Sequence, residues 1–362
     1  MSGPGALPDG VTLGEGVPLG GSARSEVHRR QVLAGPADWG GSVVVKRFLP
    51  QPEGRGAAMG WRREVVGLRH LRGSPRLLAL DETSRTVVME DLGRHPTLAD
   101  ALLGADPGAA WRHTVAWAET LGGAVAGGAS ADAARRDLGS ALRAEDRRWQ
   151  VEYPRRGLDR LVGTAGIRAG RAAAAQARDL VDELQHDTAR HVVGPGDACP
   201  DNAVLTPDGV RLLDLEGTGV RHLAYEAAYA AEPFSTCWCV FTPPAGLTDA
   251  TLAAFTGAAS RVVPGLDGHP DWPRQVRGAV ALWVLAGTLW LLDGAVADRT
   301  MAVEGRAGPA FRALLVARWR WVVRECADEL PDVAAACEEA LGWARRAWRG
   351  SDLVLPPYPV FG

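Results

Sequence analysis

Asp197, Asn202 and Asp214 carry the side chains of this 362-residue chain best suited to chemistry on a phosphate. Asp197 follows Gly196 in a loop, and Asn202 stands five positions further on. After Ala203-Val204-Leu205 and the turn Pro207-Asp208-Gly209, the run Val210-Arg211-Leu212-Leu213 ends on Asp214-Leu215-Glu216. A loop carboxylate can orient an acceptor hydroxyl and take its proton, while an amide oxygen and a second carboxylate hold the Mg²⁺ that neutralises phosphate charge. Phosphoryl transfer needs such a set. Each part alone is ordinary, since Gly-Asp and Pro-Asp-Asn are common turn sequences and an acidic strand end is often merely solvated. The joint spacing, with β-type residues between the acids, makes the pattern informative.

The N-terminal third meets an independent requirement, a strand lysine on the α- and β-phosphates held by a glutamate from a nearby helix. Lys46 lies in the β-branched run Ser42–Phe48 and is the only lysine among 40 basic residues. That position therefore demands a compact ammonium rather than any positive charge, a uniqueness that an unpaired surface lysine leaves unexplained. Glu64 sits in residues 61–71, where Val65, Leu68 and Leu71 recur at helical intervals. Ahead of them, Gly20, Gly21 and Ser22 can turn so that backbone N–H groups cover phosphates, although Gly-Gly is common in hairpins. Val44 alternates onto the strand face of Lys46 and can roof an adenine ring. Met89, Glu90, Asp91 and Leu92 then form a hinge with backbone groups facing the adenine edge.

The elements that must position these residues are legible in outline. The first 90 or so residues hold glycine turns and short β-branched runs around one helix, and from Leu98 onward apolar residues fall at helical spacing, apart from a loop-and-strand patch near 192–216. Size alone predicts two lobes. Residues 122–140 suit either a loose helical connection or a mobile loop. Most of the 13 tryptophans, including Trp283, Trp290, Trp319, Trp321, Trp343 and Trp348, fall at helical spacing and are expected in the core. The five cysteines have neither metal-type spacing nor an even count and are expected as free, reduced thiols.

The ordered set along nearly the whole chain resembles the aminoglycoside phosphotransferase and choline kinase-like family, kin of the protein kinases. The resemblance implies an α+β, two-lobed kinase-like fold, with a nucleotide-binding lobe over 1–91 and a helical lobe over 92–362 that carries the catalytic loop and acceptor site. It implies ATP and Mg²⁺, with Asp197 as catalytic base and Asn202, Asp214 and the less firmly placed Glu216 as metal ligands. Lys46, Glu64, Gly20, Gly21, Ser22, Val44, Met89, Glu90 and Leu92 would surround the nucleotide. The sequence departs from the family pattern twice. Pro195 stands where the family's loop begins with histidine, so that residue's support of the loop is missing. Glu226, in Tyr225-Glu226-Ala227, stands where a helix aspartate is frequent.

Three readings of the partner follow: a hydroxyl of a small molecule such as an aminoglycoside-like antibiotic or metabolite, a Ser or Thr hydroxyl of a biosynthetic peptide, or no acceptor at all in a degenerate partner subunit of an enzyme complex. Glu226, Glu232, Asp328, Glu329 and Asp332 are candidate substrate acids, most of them better read as solvated helix faces. Trp238, in the segment 234–241, either lines a pocket or packs in the core. A composition of 46% hydrophobic and 23% charged residues fits an ordinary globular protein, and a net charge of −3 gives no general attraction to nucleic acid. The first ten residues lack a basic start and apolar centre, which predicts a cytoplasmic protein. The longest apolar run, 279–292, is short of the roughly 20 residues of a membrane span and reads as a core helix.

Overall fold

A computed structural model of the chain describes residues 7–50, 56–232, 237–303, 305–349 and 353–362. Five strands, β1 (Thr12–Ser22), β2 (Ser25–Ala34), β3 (Ser42–Phe48), β4 (Leu77–Asp81) and β5 (Thr86–Glu90), form an antiparallel sheet in the order β1-β2-β3-β5-β4. Strand alternation gives β3 two faces. Val43 and Val45 are buried in a small cluster with Trp39 and Val88, while Val44 and Lys46 face a large cavity. Register sets Lys46 opposite Val27 and Val87, and Val44 opposite Met89.

Helix α1 (Gly56–His70) is inserted between β3 and β4, and its Leu71 boundary is closed by the Leu71 N–H bonding Gly67 O at 2.9 Å. A Cβ on Gly67 would lie 2.6 Å from both the Leu215 and Thr218 side chains, so glycine lets α1 rest directly on the segment that follows Asp214. That close approach is what brings Glu64 to Lys46.

The rest of the described chain is mainly helical: α2 (Leu98–Leu102), α3 (Pro107–Ala124), α4 (Gly128–Ala165), α5 (Gly170–His186), α6 (Leu223–Ala231), α7 (Leu247–Ala259), α8 (Trp272–Val296), α9 (Phe311–Cys326) and α10 (Pro331–Ala347). Local signals set the starts, as where Thr97 and Asp100 form a reciprocal capping box on α2 and Asp106 caps α3 ahead of Pro107. The stretch 122–140 divides into the end of α3, a short break and the start of α4, which kinks at Gly139. Between α5 and α6, β6 (His191–Gly194) pairs with β9 (Gly219–His222), and β7 (Ala203–Thr206) with β8 (Gly209–Leu212). These two ribbons carry the Asp197 and Asp214 segments.

The apolar run 279–292 is the middle of α8, which is longer than the run suggests. Among the described residues α8 is the one helix long and apolar enough to cross a membrane by length and composition, but 78% of its most apolar stretch is buried inside the protein, against α4, α6 and α9. The expectation for tryptophan holds for Trp283, Trp319, Trp321 and Trp348, which are buried, and less fully for Trp343, which is half-buried. Trp290 is the exception at 42% exposure, because α8 turns this position out of the core towards a cavity rim.

The cysteine expectation is corrected. Cys199 and Cys237 form a disulfide with Cα atoms 5.9 Å apart, whereas Cys239, Cys326 and Cys337 are free and buried. The partners are 38 residues apart and meet only because the chain beyond α6 returns over the Asp197 loop, which spacing does not disclose. Closing a loop of that length stabilises a fold by about 4 kcal/mol on chain-entropy grounds, and roughly 2–4 kcal/mol is typical. Cys237→Ser is therefore expected to lower the unfolding free energy of oxidised protein by that amount and its denaturant midpoint with it, with a somewhat steeper slope because the unlinked unfolded chain exposes more surface, and reductant should do the same to the wild type. Midpoints that do not move on reduction would show that the bond contributes nothing.

Candidate active site

The cavity beneath the sheet has a volume of about 950 Å³, and the fold delivers to it residues from distant parts of the sequence. Gly20 and Gly21 come from the end of β1, Val44 and Lys46 from β3, and Glu64 from α1. Met89, Glu90 and Leu92 come from β5 and its exit, and Asn202, Asp214 and Glu216 from the ribbon segments. Ser22 ends β1 opposite Ser25, and its side chain lies outside the described residues. Asp197 opens instead onto an adjoining cavity.

Lys46 is only 5% exposed and Glu64 1%, and Lys46 Nζ donates to Glu64 Oε2 at 3.1 Å and to Asp214 Oδ1 at 2.5 Å. Burial opposes the ammonium, but Glu64, Asp214 and Glu216 outweigh it and raise the lysine above its ordinary pKa, so it stays charged. Burial dominates at Glu64, whose carboxyl is pushed up to about 7 despite Lys46. Asp214 adopts left-handed backbone angles, φ 55° and ψ 61°, which aspartate tolerates better than most residues. The turn is held by Leu213 N–H donating to Asn202 O at 2.7 Å and Thr218 N–H to Leu215 O at 3.0 Å. A non-glycine residue kept in this region and aimed at a lysine is the kind of outlier that accompanies function.

The loop ahead of Asp197 depends on Gly196, at φ 74°, where a Cβ would stand 2.2 Å from Arg221 Nη1 and 2.5 Å from Gly217 O. Arg221 Nη2 donates to Gly217 O at 2.9 Å and Nη1 lies 3.2 Å from Glu226 Oε1, while Gly196 N–H donates to Glu226 Oε2 at 3.3 Å. The half-buried Arg221 and the buried Glu226 thus brace this loop from beneath. Solvent reaches the Asp197 carboxyl through the cleft. Enclosure by protein, followed by repulsion from Asp214 and Asp201, still raises it to about 6. Burial and Asp214 raise Glu216 too, against the pull of Arg24, whose Nη2 lies 2.6 Å from Glu216 Oε1.

Several of these partners are illegible in the sequence. Asp91, expected only as part of the hinge, accepts from Arg29 Nε at 2.6 Å, Ser42 Oγ at 2.6 Å and Gly93 N at 2.9 Å, fastening the hinge to β2 and β3. The Glu90 N–H is already bonded to Arg76 O at 2.9 Å, so it is not free for an adenine edge. Among the candidate substrate acids, Glu226 is buried under the loop and Glu232 is half-buried on Arg318, neither of them on a solvated face. Glu329 pairs with Arg277, whereas Asp328 and Asp332 are exposed as expected. Trp238 is half-buried, and its Nε1 donates to Asp201 Oδ2 at 3.0 Å, clasping the Asp197–Asn202 loop; residues 234–236 of that segment lie outside the described residues. The arginine–carboxylate signals were present but unassignable, because 39 arginines offer too many pairings along a chain.

The five-stranded antiparallel sheet, the buried lysine–glutamate pair and the larger helical part define a protein-kinase-like fold. Solved structures similar to it include small-molecule kinases. Choline kinase from Cryptosporidium parvum Iowa II superposes with a TM-score of 0.52 at 10% identity, covering 89% of this chain and 91% of that one. Plasmodium vivax ethanolamine kinase superposes with a TM-score of 0.50 at 8% identity, covering 89% and 83%. At such identities the likeness is one of fold. No protein-family model matches the chain, and no curated protein matches it in sequence.

Proposed function

We propose that the protein is an ATP-dependent phosphotransferase acting on a hydroxyl of a small molecule, with residues 1–91 as its nucleotide-binding lobe and 92–362 as the helical lobe. The observation that carries this reading is the enclosed Lys46–Glu64 pair in contact with Asp214, in one cavity with Asn202 and beside Asp197. The ammonium of Lys46, fixed by Glu64, would bind α- and β-phosphate oxygens. Val44 and Met89 would enclose the adenine, with the chain at Leu92 offering its edge contacts. The Gly20–Gly21 turn would close over the phosphates, and Arg24 on its far side already reaches Glu216.

Asn202, Asp214 and Glu216 offer hard oxygen donors, and the mutual repulsion of the two carboxylates suits a dication. Bound there, Mg²⁺ would supply charge neutralisation on the transferred phosphate. Asp197 would orient the acceptor hydroxyl and accept its proton as the oxygen bonds to Pγ and the Pγ–O bond to ADP breaks. The adjoining cavity, about 420 Å³, suits a small molecule better than a peptide chain. The Arg221–Glu226 brace favours an active enzyme over a degenerate subunit, since it restores the support lost with histidine. A cytoplasmic setting supplies ATP and Mg²⁺, and there the Cys199–Cys237 bond would be exposed to reduction.

ATP with Mg²⁺ is expected to raise the melting temperature of the full chain, because a ligand that binds the folded state alone stabilises it, by about 2.7 kcal/mol at a hundredfold excess over Kd. Asp214→Ala should remove the metal-dependent part of the shift. Absence of any shift at millimolar ATP would sink the proposal.

A further inference from the structure

Helices α4, α6 and α8 supply the aromatic part of the lining of the cavity beside Asp197, with Trp149, Tyr229, Trp283 and Trp290 facing it and Tyr153 linking Trp149 to Trp290 from behind. Tyr229 Oη stands 3.5 Å from Asp197 Oδ1, and its ring meets Trp283 edge-on at 5.4 Å between centroids. Trp283 meets Trp149 at 4.9 Å, Trp149 meets Tyr153 at 5.4 Å, and Tyr153 meets Trp290 at 5.5 Å. The run therefore leads from the carboxyl of Asp197 to the cavity rim, where Trp290 leaves a large apolar ring 42% exposed. Core packing does not require a tryptophan there. A ligand with a matching apolar face would give it a partner.

The charges of this cavity cancel in pairs. Arg63 Nη2 lies 2.7 Å from Asp146 Oδ1, and Arg221 Nη1 lies 3.2 Å from Glu226 Oε1. Apart from Asp197, the remaining lining carboxylate is Glu145, whose Oε2 is buried without a hydrogen-bond partner, 3.6 Å from Arg63 Nη2. A polycation would need several carboxylates to spare and would face two arginines in the same cavity. A flat neutral ring would instead find aromatic faces to lie on and guanidinium planes to stack against. A volume of about 420 Å³ exceeds what a small ammonium alcohol fills.

We propose that the acceptor is an uncharged molecule with a flat fused-ring body and a pendant hydroxyl. Its ring packs against Trp283, Trp149 and Trp290, and its hydroxyl reaches Asp197. The proposal rests on the phosphotransferase reading and names its substrate class. In the transfer the acceptor oxygen bonds to Pγ, its proton passes to Asp197, and the Pγ–O bond breaks to release ADP.

Calorimetric titration of the full chain without nucleotide tests this with three probes: 2-naphthaleneethanol, choline and kanamycin. The expected result is that 2-naphthaleneethanol binds about tenfold tighter than either cation, and that Trp290→Ala weakens it by about fivefold or more. Trp290 is a rim residue whose packing is limited to contacts such as Tyr153, so its replacement should leave the circular dichroism unchanged and lower the melting temperature only slightly. Tighter binding of choline or kanamycin, no detectable binding of 2-naphthaleneethanol, or an unaltered affinity in Trp290→Ala would each overturn the proposal. The melting shift with ATP and Mg²⁺ separately reads the phosphotransferase function, so the two failures are distinguishable.

Discussion

Asp197→Ala is expected to lower kcat by roughly 10²–10⁴-fold while leaving the melting shift with ATP and Mg²⁺ largely intact, because a base acts on the acceptor and not on nucleotide binding. The residue opens on the acceptor cavity while the nucleotide cavity is completed by Lys46, Asn202 and Asp214, so the two functions are spatially separable. The pH dependence gives a second check. A carboxyl raised to about 6 is protonated below that pH and cannot accept a proton, so kcat/KM should fall on the acid side with a limb near 6. A divalent ion on Asp214 would remove one source of the repulsion, so the limb in kcat should lie lower than the limb in kcat/KM. Turnover near the wild-type rate in Asp197→Ala, or a pH profile flat through this range, would remove Asp197 from the role of base.

Lys46→Met should cost about 10²–10³-fold in kcat/KM, the usual range when one preorganised donor to developing charge is removed. Arginine should not rescue it, since the guanidinium fork cannot occupy the enclosed space between Glu64 and Asp214 in the same way as an ammonium. Its effect on stability should depend on pH. Glu64 is almost wholly buried, and even beside Lys46 its folded pKa, about 7, is above the ordinary 4.5. Without the ammonium that pKa rises further. A raised folded pKa contributes stability that is fully present below the unfolded pKa and is lost as pH climbs through the folded one. Lys46→Met should therefore come closest to wild-type stability near pH 4.5. Above the folded pKa the buried charge is uncompensated, and the cost approaches about 3–5 kcal/mol. Urea midpoints at pH 5 and pH 8 measure this directly, and an equal loss at both would mean that Glu64 is not the group left behind.

The elements nearest the chemistry were the most legible. The β-branched run 42–48 is β3, the 207–209 turn is the β7–β8 hairpin, and the helical spacing after Trp61 is α1, because in each case local pattern and tertiary demand agree. The Asp197, Asn202 and Asp214 spacing lies within one short stretch of chain, where covalent connection nearly fixes the geometry. The cysteine expectation failed because spacing reports no contact across 38 residues. Trp290 was the exception to a tryptophan expectation that otherwise held, because helical period places a residue on a face but does not say where that face leaves the core.

By itself the sequence determined the alternation that puts Val44 and Lys46 on one face, the uniqueness of Lys46, and the order of acids around a hairpin, all properties of local geometry and residue chemistry. Only the tertiary structure decided that Glu226 braces the loop from beneath, that Arg63 pairs with Asp146 in the second cavity, and that four rings from three helices line it. Most of these depend on contacts between residues far apart in the chain, such as Gly196 with Glu226 or Tyr229 with Trp283, for which a chain rich in arginine and tryptophan offers many equivalent partners until packing selects one.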